Sequence, residues 1–278
     1  MGADHAQEIA ACERFSFGKN WRAFLEQVDE RRIEIAMASL RALLARDQLN
    51  GVRFLDVGSG SGLFSLAARR LGAEVCSFDF DPQSVACTEE LKRRFQPDDE
   101  SWLIQSGSVL DPEFLARLGQ WDIVYSWGVL HHTGDMWQAL ANIKPLVDKK
   151  GLLVLALYND QGRMSRVWLR VKRLFNRAPK PLRWFIVLPA LIQLWGPTVF
   201  RDSLRGRPFA SWENYSTNSV RGMSPWFDLL DWVGGLPFEV AKPEELLKHY
   251  REHNFELIAL TTCAGGIGCN EYVFSAKN

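Results

Sequence analysis

The sequence carries no net charge, no C-x-x-C pair and no apolar run that matches a membrane span at sight. Thirty-three Lys and Arg balance thirty-three Asp and Glu over 278 residues, so no global field draws the chain to nucleic acid or to a bilayer. Five cysteines, Cys12, Cys76, Cys87, Cys263 and Cys269, are odd in number and show no paired spacing. That argues against a disulfide framework and against a zinc site. A reducing, cytoplasmic setting is the expectation. The opening "MGADHAQEIAACERF" lacks the basic start and apolar centre of a signal peptide. The longest apolar run, "WFIVLPALIQLW" at 184–195, contains a proline and falls short of the roughly 18 residues a span needs. No membrane span is expected.

Apolar residues make up 47% and charged residues 24% of the chain, a globular balance with enough length for a sizeable core. Residues 21–46 place Phe24, Leu25, Val28, Ile35, Leu40, Leu43 and Leu44 at helical spacing, which predicts one or two amphipathic helices. Five runs of strand length follow, "VRFLDV", "AEVCSFD", "SWLIQS", "WDIVYSW" and "GLLVLALY". Each is separated from the next by helical pattern or turn residues, which predicts a parallel sheet with helices on both faces. Near the end "FELIALTT" and "NEYVFSA" flank the glycine-rich "CAGGIG", an antiparallel hairpin that closes the sheet. Between Tyr158 and Phe255 lie about 95 residues, far beyond an ordinary connection. The expected fold class is therefore α/β: a doubly wound, mostly parallel seven-stranded sheet with N-terminal helices and a large helical insertion before the C-terminal β-hairpin. The expected division is 1–50 N-terminal helices, 51–159 core, 160–240 inserted lid, and 241–278 helix and hairpin completing the sheet.

"FLDVGSGSGLFSLAARRLGA" is the most informative stretch: a strand, then Gly58, Gly60 and Gly62, then a helix start. Such a loop lets backbone approach a ligand closely, and helix-start amides favour its polar groups. Asp79, in "SFDFDP", follows about twenty residues later at the end of the second strand. That is the arrangement that holds the ribose of a nucleoside cofactor. The spacing G-x-G-x-G, with Asp56 before it, resembles motif I of the class I S-adenosylmethionine-dependent methyltransferases over roughly residues 50–160 and the closing hairpin. The resemblance implies a Rossmann-like methyltransferase fold and S-adenosyl-L-methionine as cofactor. It assigns Gly58, Ser59, Gly60 and Gly62 to the methionine and ribose portion, Asp79 and Phe80 to the ribose side, Ser108 and Val109 to adenine, and Asp56 and Ser126 to the methionine end. Many members have an aspartate where this chain has Ser108, so Asp111 or backbone is the alternative partner for the adenine amino group.

"SWGVLHHTGD" leaves the fourth strand at the same mouth, where open α/β sheets bind ligands. Asp135 and Gln138 read as a helix cap and its reciprocal partner. As metal ligands His131 and His132 have just Asp135 nearby, so no metal is expected. Packing suits either ring, and a neutral imidazole also suits proton removal from a hydroxyl. The "LHH" resembles the small-molecule O-methyltransferases of polyprenyl-benzoquinol and natural-product pathways. One histidine is assigned to chemistry and one to packing, with His132, one residue farther out, as the base.

From Asp160 to Arg207 eleven basic residues face two acidic ones, interleaved with Trp and Phe. The segment suits an anionic substrate or peripheral contact with an anionic membrane. It equally suits lid helices with aromatic residues inward and charges solvated. Trp127, Tyr158, Tyr215, Arg221 and Asn270 are the expected substrate contacts. The function expected is methyl transfer to a hydroxyl of a small-molecule or glycan-like acceptor. Alternatives are N-methylation, action on a membrane-associated lipid or quinol precursor, and a non-catalytic cofactor-binding regulatory subunit. No nucleic-acid partner is expected.

Overall fold

The computed structural model describes residues 2–215 and 224–277. Three helices come first: α1 (Gly2–Ala10), α2 (Phe17–Leu25) and α3 (Glu30–Leu44). The last two are those expected from the 21–46 pattern. α3 begins where the Asp29 carboxylate accepts the Arg32 N–H at 2.9 Å, and its Ile33, Ala36, Met37, Leu40 and Leu44 are buried at helical spacing.

The strands are β1 (Arg53–Val57), β2 (Glu74–Asp79), β3 (Trp102–Ser106), β4 (Trp121–Trp127), β5 (Val147–Tyr158), β6 (Phe255–Thr261) and β7 (Cys269–Ala276). They form one seven-stranded sheet in the order β3-β2-β1-β4-β5-β7-β6. β1 to β5 are parallel, and β7 runs antiparallel between β5 and β6. Strand positions agree with the sequence reading except that β5 starts at Val147, which pairs with Trp121, and so takes in the polar "DKK". Side-chain alternation divides the core. Phe54, Ile123 and Val154 pack with α2, α3, α4 (Leu63–Arg70) and α5 (Pro82–Phe95). Leu55, Val124 and Leu153 pack with α6 (Pro112–Leu118), α7 (Met136–Ile143) and, late in the chain, the helix at Pro243–Arg251. Strand order reverses between β1 and β4, which opens the crevice where such sheets bind ligands.

The stretch after β5 folds as α8 (Arg163–Arg177), α9 (Trp184–Leu204), α10 (Ala210–Glu213) and α11 (Pro225–Gly234), followed by α12 (Pro243–Arg251). Trp168 and Phe175 of α8, Val187 and Ala190 of α9, and Leu229 and Val233 of α11 form a third apolar cluster. α9 contains the run "WFIVLPALIQLW", read as too short for a span, and is longer than it, passing both Pro189 and Pro197. By length and composition it is long and apolar enough to cross a membrane. The two prolines deprive the carbonyls of Phe185 and Gln193 of their helical N–H partner. Both residues are exposed, where water can take over.

Candidate active site

The loop after β1 is tied to β2 before any ligand is considered. Gly58 and Ser59 N–H donate to the Phe78 carbonyl at 2.8 and 3.1 Å. Gly58 has φ +83°, and a Cβ there would lie 2.3 Å from the Val129 side chain, so both the turn and the close packing require glycine. The Gly60 N–H donates to Asp79 Oδ2 at 2.9 Å and the Asp81 N–H to Asp79 Oδ1 at 2.9 Å. The acid at the end of β2 thus braces the glycine loop directly. Burial pushes the Asp79 carboxyl up to about 6 despite those two donors.

Gly58, Ser59, Gly60, Asp56, Asp79, Phe80, Ser108 and Val109 line one cavity of about 720 Å³. The Ser108 hydroxyl accepts the Leu110 N–H at 3.1 Å. Asp111 also borders the cavity, but its carboxylate caps α6 through the N–H groups of Glu113 and Phe114.

The two histidines separate cleanly. His131 is fully buried, its ring stacks on Tyr158 with centroids 3.8 Å apart, and its Nδ1 accepts the Tyr158 N–H at 3.3 Å. It does not border the cavity. His132 does. Its Nδ1 lies 2.5 Å from the Pro237 carbonyl, an atom that can only accept, so Nδ1 carries the proton and Nε2 is the ring's basic nitrogen. Burial pulls His132 down to about 3, with the Pro237 bond opposing and the positive charges of Lys172 and Arg14 adding to the fall.

Residues 28–197 match the family described as "Methyltransferase domain". The chain belongs to the methyltransferase-domain family. It is similar to tRNA U34 carboxymethyltransferase of Pseudoalteromonas translucida (strain TAC 125), 31% identical over 150 residues, 54% of this chain and 44% of that protein. Ubiquinone biosynthesis O-methyltransferase of Cereibacter sphaeroides (strain ATCC 17029 / ATH 2.4.9) is 29% identical over 146 residues, 49% and 55% of the two chains. The chain spans about half the length of these curated relatives. Among solved structures, magnesium protoporphyrin IX methyltransferase (ChlM) from Synechocystis PCC 6803 with bound SAH superposes at TM-score 0.51 and 15% identity, covering 89% of this chain and 84% of that one. PKMT2 from Rickettsia typhi in complex with AdoHcy gives 0.55 and 12%, covering 88% and 53%. These likenesses bear out the Rossmann-like methyltransferase fold.

Within this methyltransferase domain several sequence assignments need correction. Ser126 is fully buried and donates to the Val57 carbonyl at 3.0 Å. It joins β4 to β1 and does not border the cavity. Gly62 likewise lies outside it: with φ +80° it starts α4, and its absent side chain makes room for Thr88. Asn270 is buried, accepting the Cys263 N–H and donating to Asn159, and serves the β6–β7 turn. Gln138 does not reciprocate the cap: Asp135 accepts its N–H at 3.2 Å, while its side chain donates to Asn142. Trp127, Tyr158 and Tyr215 do line the cavity. Arg221 lies outside the described residues.

Other wall residues had no motif to announce them. Arg14 donates to the His132 carbonyl at 2.9 Å, pairs with Glu8, and stands 5.0 Å from the centre of the Phe80 ring. Asp81 accepts the Gly18 N–H at 2.9 Å and lies 3.6 Å from His5. The N-terminal helices thereby close one side of the cavity. α11 adjoins these N-terminal helices and supplies Asp228, which accepts from the Tyr215 hydroxyl at 2.6 Å, and Asp231, which accepts from Asn20 of α2 at 2.6 Å. Behind this wall Lys172 of α8 is fully buried. Its ammonium donates to the Trp232 carbonyl and faces the rings of Trp232 at 4.7 Å and Phe238 at 4.6 Å. Burial pulls it down to about 7.

Proposed function

We propose that the chain transfers a methyl group from S-adenosylmethionine to a hydroxyl oxygen of a neutral small molecule. The observation that carries this is one cavity bordered by the Asp79-braced glycine loop and by His132 with its protonated nitrogen already committed to Pro237. The residues fit the cofactor. Asp79 is a half-buried carboxylate with one backbone donor per oxygen and a raised pKa, so it has spare acceptor capacity for two ribose hydroxyls. Phe80 and Val109 offer apolar walls for a flat base.

Bound there, S-adenosylmethionine supplies a methyl group already activated by its sulfonium sulfur. The protein's task is then to align the acceptor, keep water out and manage one proton. His132 accepts a hydrogen bond from the acceptor's hydroxyl at Nε2 and takes its proton as the oxygen gains the methyl group and that O–H becomes strongly acidic, while the Pro237 carbonyl fixes the ring and favours the charge that develops. His131 acts from beneath, holding Tyr158 in the wall by stacking. Asp228 and Asp231 add polar groups to the cavity wall on the α11 side. Tyr215 and Trp232 add ring faces for an apolar body.

The test is incubation of the protein with methyl-labelled S-adenosylmethionine and fractionated small-molecule extracts. Label entering a hydroxylated acceptor is expected. Tight cofactor binding with no label transferred to any fraction would make the chain a non-catalytic cofactor-binding protein instead.

A further inference from the structure

We propose that the outer face of α8 and α9 docks on the surface of an anionic lipid bilayer, with both helices lying in the interfacial plane. On α9 the residues Phe185, Leu188, Ile192, Phe200 and Leu204 recur every three, four or eight positions and are 52–76% exposed. That spacing makes one stripe on a helix. On α8 Met164, Val167 and Leu174 are likewise exposed. One position earlier in each turn, Arg163, Arg166, Arg170, Arg173 and Arg177 form a second exposed stripe. Bilayer-surface helices combine an apolar strip with flanking basic residues in this way.

Charge selects the occupant. From Asp160 to Arg207 every basic residue except Lys172 is exposed or half-exposed, while the acidic Asp202 is buried against Ser211. A surface so one-signed complements anionic headgroups and repels a second copy of itself. Nucleic acid would match the arginines but would leave Phe185, Ile192 and Leu204 in water. Crossing the bilayer is a different matter from lying on it. The inner face of α9 is committed to the protein, with Val187, Ala190, Leu191 and Leu194 packed in the third cluster. Leu194 and the adjacent Trp195 also border the cavity. The same helix therefore joins the lipid-facing surface to the proposed acceptor site, which favours a lipophilic hydroxyl compound drawn from the membrane. This last step rests on the methyl-transfer reading; the docking does not.

The experiment is sedimentation of the full chain with vesicles of phosphatidylcholine alone or mixed equally with phosphatidylglycerol. Binding to the mixed vesicles at low salt is expected, with a loss of about tenfold or more at high salt as screening sets in. Two variants separate the contributions: Phe185→Ser with Ile192→Ser and Phe200→Ser, and Arg166→Gln with Arg170→Gln and Arg173→Gln. Each should weaken partitioning about tenfold or more while keeping affinity for S-adenosylhomocysteine, the check on folding. Failure of the wild-type chain to bind mixed vesicles at low salt would overturn the proposal. So would unchanged binding of the serine variant, or a wild-type dimer that the serine variant turns into monomer. None of these outcomes depends on methyl transfer.

Discussion

His132 Nδ1 stands 2.5 Å from the carbonyl oxygen of Pro237, a residue 105 positions later in the chain, near the end of the insertion. This contact decides the tautomer of the ring that borders the cavity. His132→Ala should lower turnover about 10²–10⁴-fold, the usual range for a positioned proton acceptor, with cofactor affinity kept. His131→Ala should instead lower stability, because it removes the ring under Tyr158. Equal turnover in both variants would reduce the pair to packing.

The pH dependence differs from that of a solvent-exposed histidine. Burial holds His132 neutral down to about pH 3, so its loss of basicity on protonation does not begin near 6.5. The turnover of cofactor-saturated enzyme should therefore stay level from pH 7 to about pH 5. A limb centred near 6.5 that disappears in His132→Gln would show that the ring is far more hydrated than its surroundings indicate.

Asp79 titrates in that same range for another reason. Its carboxyl is raised to about 6, and ribose hydroxyls donate to the ionised form. Cofactor affinity should be constant above pH 6 and fall by up to about tenfold per unit below it. For the cofactor-free fold the sign is reversed: the raised value gives stability that is complete below the unfolded value near 3.8 and lost as pH rises through 6. Asp79→Ala should weaken S-adenosylhomocysteine binding by about 1–3 kcal/mol and abolish the pH dependence in calorimetry. Unchanged affinity in a folded variant would remove Asp79 from the cofactor site.

Much of this site could be read from the sequence, and the reasons are local. The glycine loop, Asp79 and the histidines follow strand ends, and the apolar period of the strands fixes where those ends lie. Ser126 and Asn270 lie away from the cavity because sequence position does not say which way a side chain points, and Gly62 because it serves the start of α4 against Thr88. Ser126 faces β1 and Asn270 faces its own turn. Arg14 and Lys172 were illegible for a different reason. Their roles come from contacts 118 and 60 residues away in the chain, and nothing in the local pattern marks them. The apolar run 184–195 reads as too short for a span because the helix that contains it continues through Pro197 to Leu204, beyond the uninterrupted apolar pattern.

Lys172 gives a stability signature of its own. Its ammonium is buried among Trp232, Phe238 and Tyr158 and titrates near 7 in the fold against 10.5 in the unfolded chain. The unfolded state therefore holds the proton more tightly between those values. Stability should rise from pH 7 toward pH 10 and level off below 7, by up to about 1.4 kcal/mol per unit. Lys172→Met should flatten this slope in denaturant titrations. An unaltered slope would place its source elsewhere.

The most direct measurement is carbon NMR of the product formed from S-adenosylmethionine labelled with carbon-13 in its methyl group, compared between the wild-type chain and His132→Gln. A methoxy resonance that accumulates with the wild-type chain and is slowed about 10²-fold or more in the variant is the expected result. An N-methyl or C-methyl resonance, or label retained on the cofactor while it binds tightly, would contradict hydroxyl methylation at this site.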